Sequence, residues 1–120
     1  DDHYHPLRRM REELEAYRTL EGEPYKLVEL PLPPAIYDEE GQRLPATYAN
    51  FLFVNGALLV PTYGVPTDEV ALDRLRQALP DRAVVGVDSR ALIYQHGSLH
   101  CATMQFPRGF VNKNKWSDDE

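Results

Sequence analysis

The chain has 120 residues, 42% of them hydrophobic, and a formal charge of −6. That is the length of one domain, able to bury about two-thirds of the surface its unfolded form exposes, and too apolar for wholesale disorder. The acidic balance argues against a nucleic-acid partner, which needs clustered Lys and Arg, and no apolar run approaches the ~20 residues of a membrane helix.

The N-terminal run Asp1-Asp2-His3-Tyr4-His5-Pro6 has neither a basic start nor an apolar stretch, so no signal peptide is expected. It also lacks an initiator Met, which suggests a chain processed, truncated or excised from something longer. A single cysteine cannot form an internal disulfide, and a reducing, cytoplasmic setting is expected.

Residues 6–20 are predicted to form an amphipathic helix. Leu7, Met10, Leu14 and Tyr17 recur at steps of three and four and so share a face. Pro6 suits the first helical position. Arg8/Glu12, Arg9/Glu13 and Arg11/Glu15 are opposite charges four apart on the other faces. Gly22 and Pro24 end this helix, and residues 25–30 are predicted as a strand. Residues 31–45 carry Pro31, Pro33, Pro34 and Pro45 and the acidic turn Asp38-Glu39-Glu40-Gly41, so an irregular loop at a binding surface is expected.

Two apolar runs, 49–54 and 57–60, flank Asn55-Gly56, the strongest short-range hairpin signal because both residues accept positive φ. Thr67 is the predicted N-cap of a second helix, with Asp68 and Glu69 in its first turn and Leu72, Leu75 and Leu79 on its buried face. Pro80-Asp81-Arg82 stops it. Residues 83–87 form a wholly apolar run, predicted to be a strand covered on both faces. A turn is predicted at 95–98, a last strand at 101–105, and beyond Arg108 a tail that is polar apart from Phe110 and Trp116 and is expected to fray. Helix-turn-strand therefore occurs twice, with the hairpin between. The repeating unit is strand-strand-helix-strand, one copy complete and another partial, and such units bury their faces best against each other.

Reactive residue types concentrate in residues 95–105, Gln-His-Gly-Ser-Leu-His-Cys-Ala-Thr-Met-Gln. Cys101 could be a buried small hydrophobe. His96, His100 and Cys101 could hold a metal, although Gly97 and Ser98 argue against the helix that such spacing needs and no fourth ligand is evident. Cys101 could also be a nucleophilic thiolate, which requires exposure at a loop-strand junction near positive charge or a base. His100 is a poor base, since adjacent side chains of an extended segment point to opposite faces, and a packed, hydrogen-bonded neighbour is expected there instead. His3 and His5 read as solvated terminal residues, Asp88 as a turn or cap residue, and Asn50 as a group that satisfies backbone near the site.

Residues 44–51 (Leu-Pro-Ala-Thr-Tyr-Ala-Asn-Phe), the hairpin ending Leu59-Val60-Pro61, Asp68-Glu69, Pro80-Asp81-Arg82, Val85-Gly86-Val87-Asp88 and residues 97–105 form an ordered series. In order and spacing it resembles the C-terminal third of the agmatine deiminases and the related bacterial peptidylarginine deiminases, over residues 1–107. The resemblance implies an α/β fold: one to two strand-strand-helix-strand blades of a five-bladed α/β propeller, the pentein of guanidine-modifying enzymes, here incomplete. Residues 1–108 would be the C-terminal portion of that propeller and 109–120 a tail.

The resemblance also implies a hydrolase of polyamine biosynthesis that converts agmatine to N-carbamoylputrescine and ammonia. Cys101, the Cys of Gly-x-x-His-Cys, would be its nucleophile, passing through a covalent amidino-thioether. Gly97 and Ser98 would offer backbone contacts to a small cationic guanidino substrate. No metal or other cofactor is required. Where many members have a glycine run this chain has Gln95-His96-Gly97, and where many have Thr-Gln-Gln it has Thr103-Met104-Gln105. Both departures bear on agmatine against a larger arginine compound. The family's Gly-His-x-Asp segment is not found in this sequence, and its guanidinium-binding carboxylates lie further upstream still. The chain is thus expected to be inactive alone and to need the N-terminal part of the propeller, or another chain supplying it. The competing reading is a non-catalytic α/β binding or assembly module with a structural Cys101.

Overall fold

The hairpin at Asn55-Gly56 organises the sheet in the computed structural model, which describes residues 2–110. Strand β1 (Leu52–Val54) pairs antiparallel with β2 (Ala57–Thr62), with Val54 opposite Ala57 and Leu52 opposite Leu59. Of the two turn residues, Gly56 alone takes a positive φ, +77°. The turn therefore has the sign pattern of type II, which requires glycine at its third position alone, and not the I′ turn that Asn-Gly suggests.

After β2 the chain crosses through a helix, Thr67–Ala78, and returns as β3 (Ala83–Asp88), parallel to β2 from Ala57↔Ala83 to Thr62↔Asp88. The strand order is β1-β2-β3. One strand-strand-helix-strand unit is thus present as expected, in a small mixed sheet. The crossover helix buries Ala71, Leu72 and Leu75 against it, a stripe at helical spacing. Gly86 permits that contact: a Cβ there would meet Thr62 Cγ2 at 3.0 Å and Leu72 Cδ1 at 3.3 Å. The helix N-cap is Pro66 rather than Thr67. Asp68 instead closes the helix start, its carboxylate accepting from the N–H groups of Tyr63, Gly64 and Val65.

The proline-rich segment 31–45 does more than loop. It delivers Ile36 and Leu44 to the same core as Tyr48, Leu58, Val60 and Tyr63. Its acidic turn closes on itself, Asp38 Oδ1 accepting from the N–H of Glu40 at 2.9 Å and of Gln42 at 2.8 Å, as Asp side chains do in turns.

Several expectations fail, for one shared physical reason. The first helix, here α1 (the crossover helix being α2), spans Tyr4–Ala16 and buries no residue. Pro6 stands third in it, and its ion pairs at 8/12, 9/13 and 11/15 form as expected. Its apolar face, Leu7, Met10 and Leu14, faces solvent. Residues 25–30 are not a strand. They lie along α2, where the Arg74 guanidinium donates to the Glu29 carbonyl at 2.8 Å and Arg11 pairs with the Glu29 carboxylate. β3 is an edge strand covered on one side; Val84 is buried but Val85 is 45% exposed. Residues 101–105 are not a strand either: a 3-10 turn at His100–Ala102 leads into unpaired chain. A strand needs a neighbour to take its N–H and C=O groups, and an apolar face needs something to cover it. Among the described residues nothing supplies either.

Phe110, stacked on Phe106, is the last described residue, so the expected tail, with Trp116, lies almost wholly outside them. No helix among the described residues is long and apolar enough to cross a membrane.

Candidate active site

Cys101 is exposed. This contradicts the core-filling reading and fits the requirement that an attacking sulfur be reachable. It sits in the 3-10 turn His100–Ala102, pinned at its start by buried Leu99 and tied back by the Ala102 N–H to the Ser98 carbonyl at 3.2 Å. Before it, a 3-10 turn at Leu92–Gln95 is ended by His96 in the left-handed region, φ +65°, where the turn at 95–98 was expected.

Asn50, at the entry to β1, reaches across to this turn. Its Oδ1 accepts from the N–H of His100 at 2.7 Å and of Cys101 at 3.2 Å, while its Nδ2 donates to Cys101 Sγ at 3.1 Å. The Asn50 carbonyl also accepts from the His100 N–H at 3.2 Å. These donors hold the Cys101 thiol below its ordinary range. The Asn50 amide contributes most, then the Ser98 backbone N–H; desolvation opposes them, and the cysteine's own N–H adds to them. A hydrogen bond to the charged form favours that form. Among the described residues the lowering owes nothing to a cationic side chain. Hydrogen-bond donors stand where a nearby positive charge or base was expected.

The remaining sequence-stressed residues fall close by but not alike. Gly97 is buried, and a Cβ on it would meet Cys101 Cβ at 2.7 Å and Sγ at 3.4 Å. Its missing side chain makes room for the cysteine. Ser98 is fully buried, and its hydroxyl lies 2.7 Å from the Tyr63 phenol, which leaves the backbone N–H as the part of Ser98 that faces the sulfur. His100 is exposed rather than packed. Its backbone, not its imidazole, makes the contacts above. His96, His100 and Cys101 do not converge, and no cluster of three or more His, Cys, Asp or Glu side chains suited to a metal occurs among the described residues. His5 rests against the Tyr4 ring, and Asp88 accepts from the Arg90 N–H at 3.1 Å as a turn residue.

Behind the turn lies a polar network that sequence patterning did not reveal. The Tyr63 hydroxyl donates to the Thr47 carbonyl at 2.9 Å and accepts from the Thr47 N–H at 3.1 Å. Asp68 accepts from the Tyr48 hydroxyl at 2.7 Å. Arg90 donates to the Tyr63 carbonyl at 2.9 Å. Burial pushes both phenols above their ordinary range. Tyr48, three positions after Pro45, and Tyr63, beside Gly64, read as loop surface in a one-dimensional pattern; only their partners, 16 to 35 positions away, mark them as buried.

A family model described as Porphyromonas-type peptidyl-arginine deiminase matches residues 1–107. A Vibrio parahaemolyticus protein provisionally named agmatine deiminase is 33% identical over 89% of this chain and 34% of its own. The crystal structure of a Porphyromonas gingivalis protein provisionally assigned as an arginine deiminase is 54% identical, with a TM-score of 0.86, over 93% of this chain and 33% of that one. A Campylobacter jejuni agmatine deiminase, solved as a cysteine-to-serine variant with substrate bound, is 49% identical, with a TM-score of 0.74, over 83% of this chain and 28% of that one. The chain thus spans about a third of the relatives' lengths, between 28% and 34%.

Proposed function

Because the chain belongs to the Porphyromonas-type peptidyl-arginine deiminase family, we propose that it supplies the nucleophile of a guanidine deiminase, with Cys101 as the attacking residue. The observation that carries this reading is the exposed sulfur held by the Asn50 amide, with its thiol lowered. A thiolate is the nucleophile, so a lowered thiol raises the reactive fraction near neutral pH. The Campylobacter jejuni relative holds substrate as a cysteine-to-serine variant, and this chain has one cysteine.

In the reaction, Cys101 Sγ adds to the guanidinium carbon of agmatine. The C–N bond to one terminal nitrogen breaks as a histidine protonates that nitrogen, which leaves as ammonia. Water then adds to the amidino-thioether, the histidine accepting its proton, and the C–S bond breaks to restore the thiolate and release N-carbamoylputrescine. Carboxylates grip the planar cation through paired charge-assisted hydrogen bonds. The histidine and carboxylates come from polypeptide outside these 120 residues. The β1-β2-α2-β3 unit is one blade of a five-bladed propeller whose other blades cover α1 and the edge of β3. A reducing cytoplasm suits the single thiol.

The test is a graft. Residues 1–107 replace the superposable segment of the Campylobacter jejuni enzyme, and ammonia release from agmatine is measured. The graft turns over and the 120-residue chain alone stays at background. Steady turnover by the chain alone, or an inert graft that nevertheless folds and binds agmatine, overturns the reading.

A further inference from the structure

We propose that Asn50 is a clamp for the nucleophile: one side-chain amide both fixes the backbone of the cysteine turn and donates a hydrogen bond to the sulfur that reacts. The inference rests on the reading of Cys101 as nucleophile and deepens it by assigning a residue that touches the reacting atom from 51 positions away in the chain.

The geometry divides the amide's two ends between two tasks. The carbonyl oxygen takes the N–H groups of His100 and Cys101 at 2.7 and 3.2 Å, which sets the direction in which the turn presents its side chains. The nitrogen lies 3.1 Å from Sγ and can only donate there. A thiol accepts weakly and a thiolate strongly, so this donor favours ionisation of the sulfur. Neither end can be exchanged for the other: the backbone N–H groups require an acceptor and the thiolate requires a donor. Asparagine meets both needs in a single planar group. Aspartate keeps the acceptor and sets a second negative charge against the sulfur. Alanine loses both.

Asn50 is half-buried and enters β1 directly, so the sheet anchors it, and its carbonyl adds a further bond to the His100 N–H. Two loops some fifty positions apart are thereby locked at one point. The ionisable group facing the sulfur from the sheet side is Tyr63, kept neutral by burial. On the cysteine's own side are His100 in the same turn and His96 in the preceding one, both exposed.

The test needs no turnover. The pH dependence of Cys101 alkylation by iodoacetamide is measured in the full 120-residue chain, in Asn50→Ala and in Asn50→Asp, and repeated in a His100→Gln background. The midpoint rises in Asn50→Ala and rises further in Asn50→Asp, each unit of rise meaning a tenfold smaller thiolate fraction at neutral pH. An unchanged or lower midpoint in a folded Asn50→Asp chain overturns the proposal. The unaltered chain gives a second readout that depends on no variant folding. The side-chain NH2 resonances of Asn50 shift with the Cys101 midpoint and stop doing so in Cys101→Ser; resonances that ignore the titration overturn the proposal. A graft that folds and binds agmatine yet stays inert, combined with a raised Asn50→Asp midpoint, would refute the deiminase reading and leave the contact of Asn50 with the sulfur standing. The opposite pair of results would do the reverse.

Discussion

The Tyr63 phenol and the Ser98 hydroxyl meet 2.7 Å apart in the core, three residues before the exposed Cys101. Through this contact the cysteine turn stands on the Thr47–Tyr63 pair rather than on a strand. Tyr63→Phe leaves the Ser98 hydroxyl and the Thr47 N–H without their partner, and buried groups so stranded cost about 1–3 kcal/mol each. Ser98→Ala leaves Tyr63 with both Thr47 contacts and is expected to cost about 1 kcal/mol. Urea midpoints therefore fall in the order wild type, Ser98→Ala, Tyr63→Phe. The opposite order of the two variants would show that the network is not organised around the phenol.

Gly97 is a steric requirement of Cys101. In Gly97→Ala the added methyl carbon would lie 2.7 Å from Cys101 Cβ, too close to persist, so the turn must shift and the Asn50 contact to Sγ loosen. The alkylation midpoint of Cys101 is expected to rise while the sheet remains folded by circular dichroism. A midpoint identical to that of wild type would show that the turn adapts without moving its sulfur.

The two buried phenols set the alkaline limit of stability. Both titrate above an ordinary tyrosine in the folded chain, chiefly through burial. Their contribution is therefore complete below the unfolded value, about 10, and is lost as pH rises from there through the higher folded values. Urea midpoints are expected to be flat from neutral pH to about 9 and to decline above about 10, less steeply in Tyr48→Phe. A decline of equal slope in that variant would assign the effect elsewhere.

Helix α1 gains nothing from packing on the described residues. A helix of 13 residues with no buried face is marginal in water, since tertiary burial supplies most helical stability. Amide exchange in α1 of the chain alone is expected to be close to unprotected, while that of β2 and α2 is slow. Equal protection would mean that its apolar face is covered in solution. In the graft described above the α1 amides are expected to become protected.

What the sequence disclosed was whatever short-range chemistry decides. Asn55-Gly56 placed the hairpin, and Leu72 and Leu75 placed α2, because turn preference and helical spacing are local properties; Leu79, expected on the same buried face, is instead the C-cap and only partly buried. The ordered motifs disclosed the family, and Cys101 stood out as an isolated nucleophile type. The apolar patterns at 25–30 and in α1 imply partners; they describe how those segments are built but do not state that the partners lie within the chain. The same holds for β3, whose apolar run 83–87 is suited to two covered faces and has one. The supporting network was hidden for the converse reason. Thr47, Tyr63 and Ser98 bear no periodic signal, and their roles come from hydrogen bonds between residues 16 to 35 positions apart. Asn50 was noticed only as a backbone-satisfying group, and its contact with the sulfur lies 51 positions away.

Acid-quenched mass spectrometry of the graft during agmatine turnover looks for the covalent bond between Cys101 and the guanidinium carbon. The peptide containing Cys101 should carry the mass of agmatine less ammonia, and that adduct should disappear in Cys101→Ser along with all ammonia release. Continued turnover by the Cys101→Ser graft would contradict the account.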